Sequence, residues 1–372
     1  MADYSDPLTS CTHEGQVAMK PTTVLVLGAV GEKPLERIAA VDPAVRVVDA
    51  RGVFEVEYAD TWPRETVDRY VPQSLITKSK TTRAERDALL AEAEVICIRF
   101  PFPLDLRARA PRLTWLHQTP AGASNLRMGD LWGSTVTVTT SRGVNNSLPI
   151  AEYVLSTLLL FAKSLPQAFR DQARRSFERR AYRSVVVRDK TLGIIGLGGI
   201  GSEVARLAKA VGMRVIATRR SVPAPQQNTQ GVDELLPSRA LSSLLAQSDF
   251  VAVCAQWTPE TDKLIGTAEF QQMKPTAYLI NVARGELIDQ AALIAALRNE
   301  QIAGAALDVY DGEFTGPPPE ELWQLPNVVI TPHTSVGTDF SYAKGMDIFC
   351  ENLSRYLKGE PLCNVIDWQR GY

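Results

Sequence analysis

The chain has 372 residues, 45% of them hydrophobic and 22% charged, and carries a formal net charge of −2. That length accommodates two domains of ordinary size, and the composition is that of a globular chain rather than a disordered or fibrous one. A charge so near zero gives no global attraction to nucleic acid or anionic membranes, and the longest apolar stretch, 150–162, is too short to cross a bilayer and contains Glu152.

Residues 1–20 are polar, lack the apolar core of a signal peptide and read as a flexible tail. Beyond them, short apolar runs alternate with amphipathic stretches, the pattern of a parallel sheet covered by helices. Strands are expected at 23–27, 45–49, 95–99, 113–118 and 136–139. Helices are expected at 34–41 and 83–93, the second capped by Thr82. Residues 58–80 show no period and read as irregular. Ser147-Leu148-Pro149 opens a long apolar helix, proline being suited to a first turn, and this helix leads into a second series. That series has a strand at 191–195, a helix at 199–211, and strands at 213–218, 250–254, 277–281, 304–307 and 328–331. Residues 223–230 and 316–321 read as surface loops. A last helix, 342–358, ends before Pro361, and the sequence does not say which domain it joins.

The natural organisation is α/β: a domain at 147–337 inserted between 21–146 and 338–372 of another. Five cysteines (Cys11, Cys97, Cys254, Cys350, Cys363) form no C-x-x-C pair, and Cys97 and Cys254 lie in apolar runs as small hydrophobes, which fits a reducing cytoplasm. With three histidines, His13, His117 and His333, no metal cluster is expected. The run 170–188 holds seven arginines but also Asp171 and Glu178, and reads as a solvated or subunit-contacting helix rather than a nucleic-acid surface.

Gly196-Leu197-Gly198-Gly199-Ile200-Gly201 follows the strand at 191–195 and opens a helix, the context in which a G-x-G-x-x-G run binds a dinucleotide. Gly196 permits the tight turn, Gly198 lets the backbone approach a pyrophosphate, and Gly201 allows helix to pack on strand. The helix N-terminus supplies free N–H groups for the phosphates. At the end of the next strand an NAD site usually has a carboxylate for the ribose. Here the chain reads Thr218-Arg219-Arg220-Ser221, with Arg219 eighteen residues after Gly201. Guanidinium groups pair with a 2′-phosphate, so NADP is favoured, with NAD as the alternative.

Downstream stand Arg284 in Ile280-Asn281-Val282-Ala283-Arg284-Gly285, Glu313 five residues after Asp308, and His333 after Pro332. A guanidinium, a carboxylate and an imidazole behind a dinucleotide fingerprint suit reduction of an anionic ketone. The imidazole protonates the oxygen, the carboxylate orients the ring, and the guanidinium binds the anion and polarises the carbonyl. Taken singly, Arg284 could be an ion-pair partner, Glu313 a solvated charge and His333 a packed histidine; the joint spacing favours chemistry.

Together with the glycine fingerprint, these three segments closely resemble the D-isomer-specific 2-hydroxyacid dehydrogenase family, densely from about residue 113 to 365 and thinly before 95. The resemblance implies two Rossmann-like domains, a flavodoxin-like substrate domain and an inserted NAD(P)-binding domain, and a homodimer formed through the latter. It implies catalytic roles for Arg284, Glu313 and His333, and cofactor contacts at Thr258, Pro259, Val282 and Asp308, the last at the nicotinamide carboxamide. The loop Ala121-Gly122-Ala123 would bind the substrate carboxylate through backbone N–H groups. Two departures stand out: Gly122-Ala123-Ser124 replaces a usual Gly-Val-Asp, and Asp311-Gly312-Glu313-Phe314 replaces a usual Glu-Pro-Glu-Pro, which puts the loop's stiffness in question. Arg99 reads as a solvated strand end, with a second substrate anion as the alternative, and His117 as packed. A nucleotide-sensing co-repressor and a phosphite-type dehydrogenase on the same fold are the competing readings.

Overall fold

The computed structural model describes residues 21–28, 33–78, 80–142, 147–337, 346–369 and 371. Two parallel sheets organise them. The first contains β1 (Thr22–Val26), β2 (Val45–Asp49), β3 (Val95–Ile98), β4 (Trp115–Gln118) and β5 (Thr137–Thr140), in the order β2-β1-β3-β4-β5. The second contains β6 (Thr191–Ile195), β7 (Arg214–Arg219), β8 (Gln226–Thr229), β9 (Val232–Pro237), β10 (Phe250–Val253), β11 (Tyr278–Asn281), β12 (Gly304–Leu307) and β13 (Val328–Ile330). Its order is β13-β12-β11-β10-β6-β7-β9-β8, parallel except for the β8–β9 pair. These are the two doubly wound orders, and each reverses once: between β1 and β3, and between β6 and β10. A crevice opens at the C-terminal ends of the strands at each reversal, which is where ligands bind in such sheets.

Central strands are buried along their whole length. β3, β4, β6, β10 and β12 expose no residue, as expected of sheets covered by helices on both faces. The helix Ser147–Ala162 packs Ile150, Val154, Leu158 and Phe161 into the core that also holds Leu192, Val204 and Val215 of the second sheet. Among the described residues no single helix is long and apolar enough to cross a membrane. The C-terminal helix Asp347–Leu357 joins the first sheet: Phe349 and Leu353 are buried with Val24, Val26 and Trp115.

Several expectations need correction. Residues 58–80 are not irregular but fall largely in three short helices, Glu55–Thr61, Arg64–Tyr70 and Gln73–Lys78. None exceeds two turns, so no amphipathic period repeats, and the first two lack a side-chain N-cap. Tertiary contacts hold them. Trp62 Nε1 donates to Phe102 O at 2.7 Å, and the buried Glu57 carboxylate accepts from Arg86 Nε at 2.9 Å and Arg109 Nη1 at 2.5 Å. The supposed loop 223–230 contains the edge strand β8, paired to an unforeseen β9. The arginine run is helical only to Arg174; Arg175 turns left-handed (φ 54°), and after the short 3₁₀ turn Arg179–Ala181 no regular element runs to residue 188. Thr82 does cap its helix, in a reciprocal box with Glu85. The tail 1–20, with Cys11 and His13, lies outside the described residues, as do 342–345 of the last expected helix.

Candidate active site

The glycine turn leaves β6 at the reversal point. Gly196 has φ +99°, and a Cβ there would come within 2.7 Å of the Ala255 backbone. On Gly201 a Cβ would collide with the carbonyl oxygen of Gly196. A Cβ on Gly198, by contrast, would point into open space, just before the helix Gly199–Ala210, which has no side-chain cap on its first N–H groups. Close packing behind the turn and an open face at its free N–H groups fit a dinucleotide pyrophosphate. At the end of β7, Arg219, Arg220 and Ser221 are exposed, and Arg219 Nη1 donates to Gln230 Oε1 at 2.5 Å in the β8–β9 turn. Farther along the same edge Thr258 is buried, its N–H donating to Thr261 Oγ1 at 2.8 Å, and Val282 is buried after β11.

Arg284 follows Val282. The Asn281 side chain shapes this turn, donating to Arg284 O at 2.9 Å and accepting from Ala283 N at 3.1 Å. The guanidinium then reaches across to the first domain. Its Nε donates to Ser124 Oγ at 2.9 Å, and its Nη2 occupies the space that a side chain on Gly122 would fill. The loop after β4 is held by Gln118, whose amide donates to Gly122 O and accepts from Asn125 Nδ2 at 3.1 Å. Gly122 therefore lies against Arg284 only because it has no side chain, with Ala121 and Ala123 beside it in the same loop.

His333 Nδ1 lies 3.2 Å from both carboxylate oxygens of Glu313, which is 3% exposed. That contact leaves Nε2 as the imidazole edge available to a ligand. His333 has φ +54°, a left-handed conformation that a histidine adopts only when its surroundings require it. Asp308, at the end of β12, supplies much of that requirement. Its backbone O accepts from His333 N at 2.9 Å. Its carboxylate accepts from Thr331 Oγ1 at 2.6 Å, Thr334 N at 2.9 Å and Ser335 N at 3.1 Å. Thr331 gives its only proton to Asp308, so Tyr153, 2.7 Å away, donates to Thr331. Burial pushes the Tyr153 phenol up to about 12, keeping it protonated for that task. The carboxylate expected at the carboxamide end of a cofactor is thus turned towards the segment that carries His333.

The first domain contributes residues that the sequence did not single out. Arg69 Nη1 donates to Glu313 O at 3.0 Å, and Thr66 Oγ1 donates to Phe314 O at 2.6 Å. Tyr70 lies near both charged groups of the site: burial and the Glu313 carboxylate push its phenol up, against Arg69 and Arg284. All three stand on the helix Arg64–Tyr70, inside the stretch without period, and no local signal marks them. Arg99 is exposed at the end of β3, its stem lying over Gly28. His117 is packed, as expected. It is fully buried on β4 between Thr139 Oγ1 (2.8 Å) and Ser141 Oγ (3.3 Å), and burial pushes it down to about 3. Among the described residues no group of three or more His, Cys, Asp or Glu could hold a metal ion.

The two sheet orders and the site at their facing ends define a two-domain, nucleotide-binding α/β protein. Sequence comparison narrows the class. The sequence profile of the D-isomer specific 2-hydroxyacid dehydrogenase NAD binding domain matches residues 155–335. A glyoxylate reductase of Thermococcus gammatolerans is 33% identical over 338 residues, covering 88% of this chain and 94% of the relative. A D-3-phosphoglycerate dehydrogenase of Archaeoglobus fulgidus is 31% identical over 319 residues, covering 84% of this chain; the chain spans only 59% of that longer relative. Among solved structures, a D-isomer specific 2-hydroxyacid dehydrogenase from Xanthobacter autotrophicus Py2, in complex with NADPH and MES, superposes with a TM-score of 0.72 at 27% identity, over 95% of this chain and 100% of that one. The protein belongs to the D-isomer specific 2-hydroxyacid dehydrogenase family.

Proposed function

We propose that this protein catalyses the reversible reduction of a 2-oxo acid to a D-2-hydroxy acid, with NADP(H) preferred over NAD(H). The observation that carries the reading is the His333–Glu313 pair beside an Arg284 whose guanidinium lies against the small-residue loop of the other domain. When bound, NADP(H) supplies the hydride for the carbonyl carbon or takes it back; Gly196, Gly198, Gly199, Ile200 and Gly201 would hold its pyrophosphate, with Thr258, Pro259, Val282 and Asp308 along the same edge. His333 Nε2 donates a proton to the carbonyl oxygen as negative charge develops there, while Glu313 holds Nδ1 and orients the ring. Arg284, with the N–H groups of Ala121, Gly122 and Ala123, binds the carboxylate and polarises the carbonyl.

Residues 21–146 and 338–372 act as the substrate domain in this reading, and 147–337 as the dinucleotide domain. Arg219 and Arg220, exposed where a 2′-phosphate would lie, support the NADP preference, as does the NADPH bound by the Xanthobacter relative. Leu165, Phe169, Phe177, Val185 and Val186 are exposed apolar residues on one stretch of the second domain, and they support a homodimer formed there. Free thiols at Cys97, Cys254, Cys350 and Cys363 fit a cytoplasmic protein.

The test is to measure initial rates of NADPH and NADH oxidation in parallel against glyoxylate, hydroxypyruvate, pyruvate, 2-oxobutyrate, phenylpyruvate and 2-oxoisocaproate. Turnover with NADPH well above NADH supports both halves of the proposal. A preference for NADH keeps the reductase and discards the role of Arg219 and Arg220. Tight nucleotide binding without turnover discards the reductase.

A further inference from the structure

The loop that carries Glu313 has little internal reason to hold one shape. Gly312 sits at φ +87°, a conformation open to glycine, and no proline stands between Tyr310 and Gly316. Its own bonds are short-range turns: Glu313 N to Tyr310 O at 3.3 Å, Thr315 Oγ1 and N to Gly312 O at 2.9 Å, Gly316 N to Gly312 O at 3.1 Å, and the Tyr310 hydroxyl to Gly316 O. Apart from the Glu313 carboxylate on His333, the loop takes polar contacts from the helix Arg64–Tyr70 of the first domain. Arg69 grips the loop twice, through Nη1 to Glu313 O at 3.0 Å and Nη2 to the Tyr310 hydroxyl at 3.1 Å. Thr66 Oγ1 takes the next carbonyl, that of Phe314, at 2.6 Å. The Phe314 ring packs on Phe100 at 5.0 Å, and Phe100 is itself wedged between Trp62 (5.0 Å) and Tyr70 (4.9 Å).

Glu313 is thus held at both ends by different domains. Its carboxylate meets His333 of the second domain, and its carbonyl meets Arg69 of the first. We propose that Arg69, assisted by Thr66, is a positioning residue that sets Glu313 against His333, so that the acid–base pair of one domain is completed by a helix of the other. The proposal rests on the reading of His333 and Glu313 given above. Arg69 does not need to touch substrate for this; both of its terminal nitrogens are already engaged on the loop. The pair is then aligned only while the two domains are in contact, which ties proton transfer to a cleft from which water is excluded.

The experiment is a double-mutant cycle on the full chain, with the best 2-oxo acid of the panel and saturating NADPH. R69M should lower kcat by about 10- to 100-fold with KM changed less than about threefold, because positioning is lost and ground-state binding is not. R69K, which keeps a donor, should recover part of that loss, and T66V should show a smaller loss of the same kind. In an E313Q background R69M should change kcat by less than about twofold, since the group it positions has gone. An equal penalty in both backgrounds, or a penalty confined to KM, overturns the proposal. Hydrogen exchange supplies an arm independent of turnover. Amides of 310–316 should exchange about tenfold faster or more in R69M than in the wild type, with NADPH bound to both. Unchanged protection there overturns the proposal; absence of turnover in the wild type, with that protection lost in R69M, removes the catalytic reading but keeps the latch.

Discussion

The two domains furnish the cleft in different currencies. The eight-stranded sheet brings residues that stand directly after strand ends: the glycine turn after β6, Arg219 at the end of β7, Arg284 after β11, Asp308 after β12 and His333 after β13. Each is a short step along the chain from a buried strand, so parallel packing alone gathers them at one edge. The five-stranded sheet contributes Gly122 and Ser124 after β4 in that way, but Thr66, Arg69 and Tyr70 come from a seven-residue helix in the long crossover between β2 and β3. Nothing in that helix's own sequence points at the cleft. Its place depends on Glu57, Arg86 and Arg109 being paired in the interior of the first domain, and on Trp62 packing against Phe100 and Phe102. One domain carries its chemistry in motifs, and the other in packing.

Breaking each side separates the two. On the motif side, H333A should lower kcat by about 10³- to 10⁴-fold, roughly 4–5 kcal/mol of transition-state stabilisation, with little change in melting temperature. Steady-state rates and calorimetry on the same sample measure both, and a loss below about tenfold would move the proton donor elsewhere. On the packing side, E57A should cost about 3–5 kcal/mol of stability, because Arg86 and Arg109 would remain buried without their shared carboxylate. Urea denaturation gives the number; a cost under about 1 kcal/mol would mean that Asp87, Asp105 and water suffice for the two guanidinium groups.

A histidine sharpens the contrast between the domains. His117, buried and pushed down to about 3, binds its proton more weakly folded than in an unfolded chain, where the usual value is 6.5. The unfolded state therefore takes up the extra proton as pH falls from 6.5 towards 3, and stability declines through that window. By pH 5 the contribution amounts to about 2 kcal/mol. The loss of stability between pH 7 and pH 5 should thus be about 2 kcal/mol smaller in H117N than in the wild type. Equal acid losses in both proteins would show that His117 is not held neutral. The smallest effect is expected from R219S/R220S: the ratio of kcat/KM for NADPH over NADH should fall by about tenfold, near 1.4 kcal/mol. An unchanged ratio would place 2′-phosphate recognition outside these arginines.

The sheets were readable because a buried parallel strand is a short, largely apolar run: Phe250–Val253 is apolar and buried throughout, and Thr191–Ile195 and Tyr278–Asn281 each have an apolar, buried interior. β9 escaped notice because Asp233 and Glu234 interrupt it; both are engaged laterally, Asp233 with Lys209 and Glu234 with Arg214. β8 is a polar, exposed edge strand with no apolar alternation to see. In the site, the glycine turn and the spacing of Arg284, Glu313 and His333 could be found because each constraint is local: a backbone that tolerates no Cβ, or a side chain next to a strand end. Asp308 was visible as a residue but not in its contacts, since its carboxylate ligates a segment more than twenty residues away.

Chain order alone therefore carried the α/β class, the strands of the second sheet other than β8 and β9, the dinucleotide turn and the three polar groups that follow it. Those features repeat over short windows, where burial and steric exclusion act on neighbouring residues. Folding decided the rest: that the last helix returns to the first sheet, that Arg284 crosses to Ser124 and Gly122, and that Arg69 reaches Glu313 over 244 positions of sequence. Contacts at such separations leave no period in the chain, because each partner's identity is constrained only by the other and by the shape of the cleft between them.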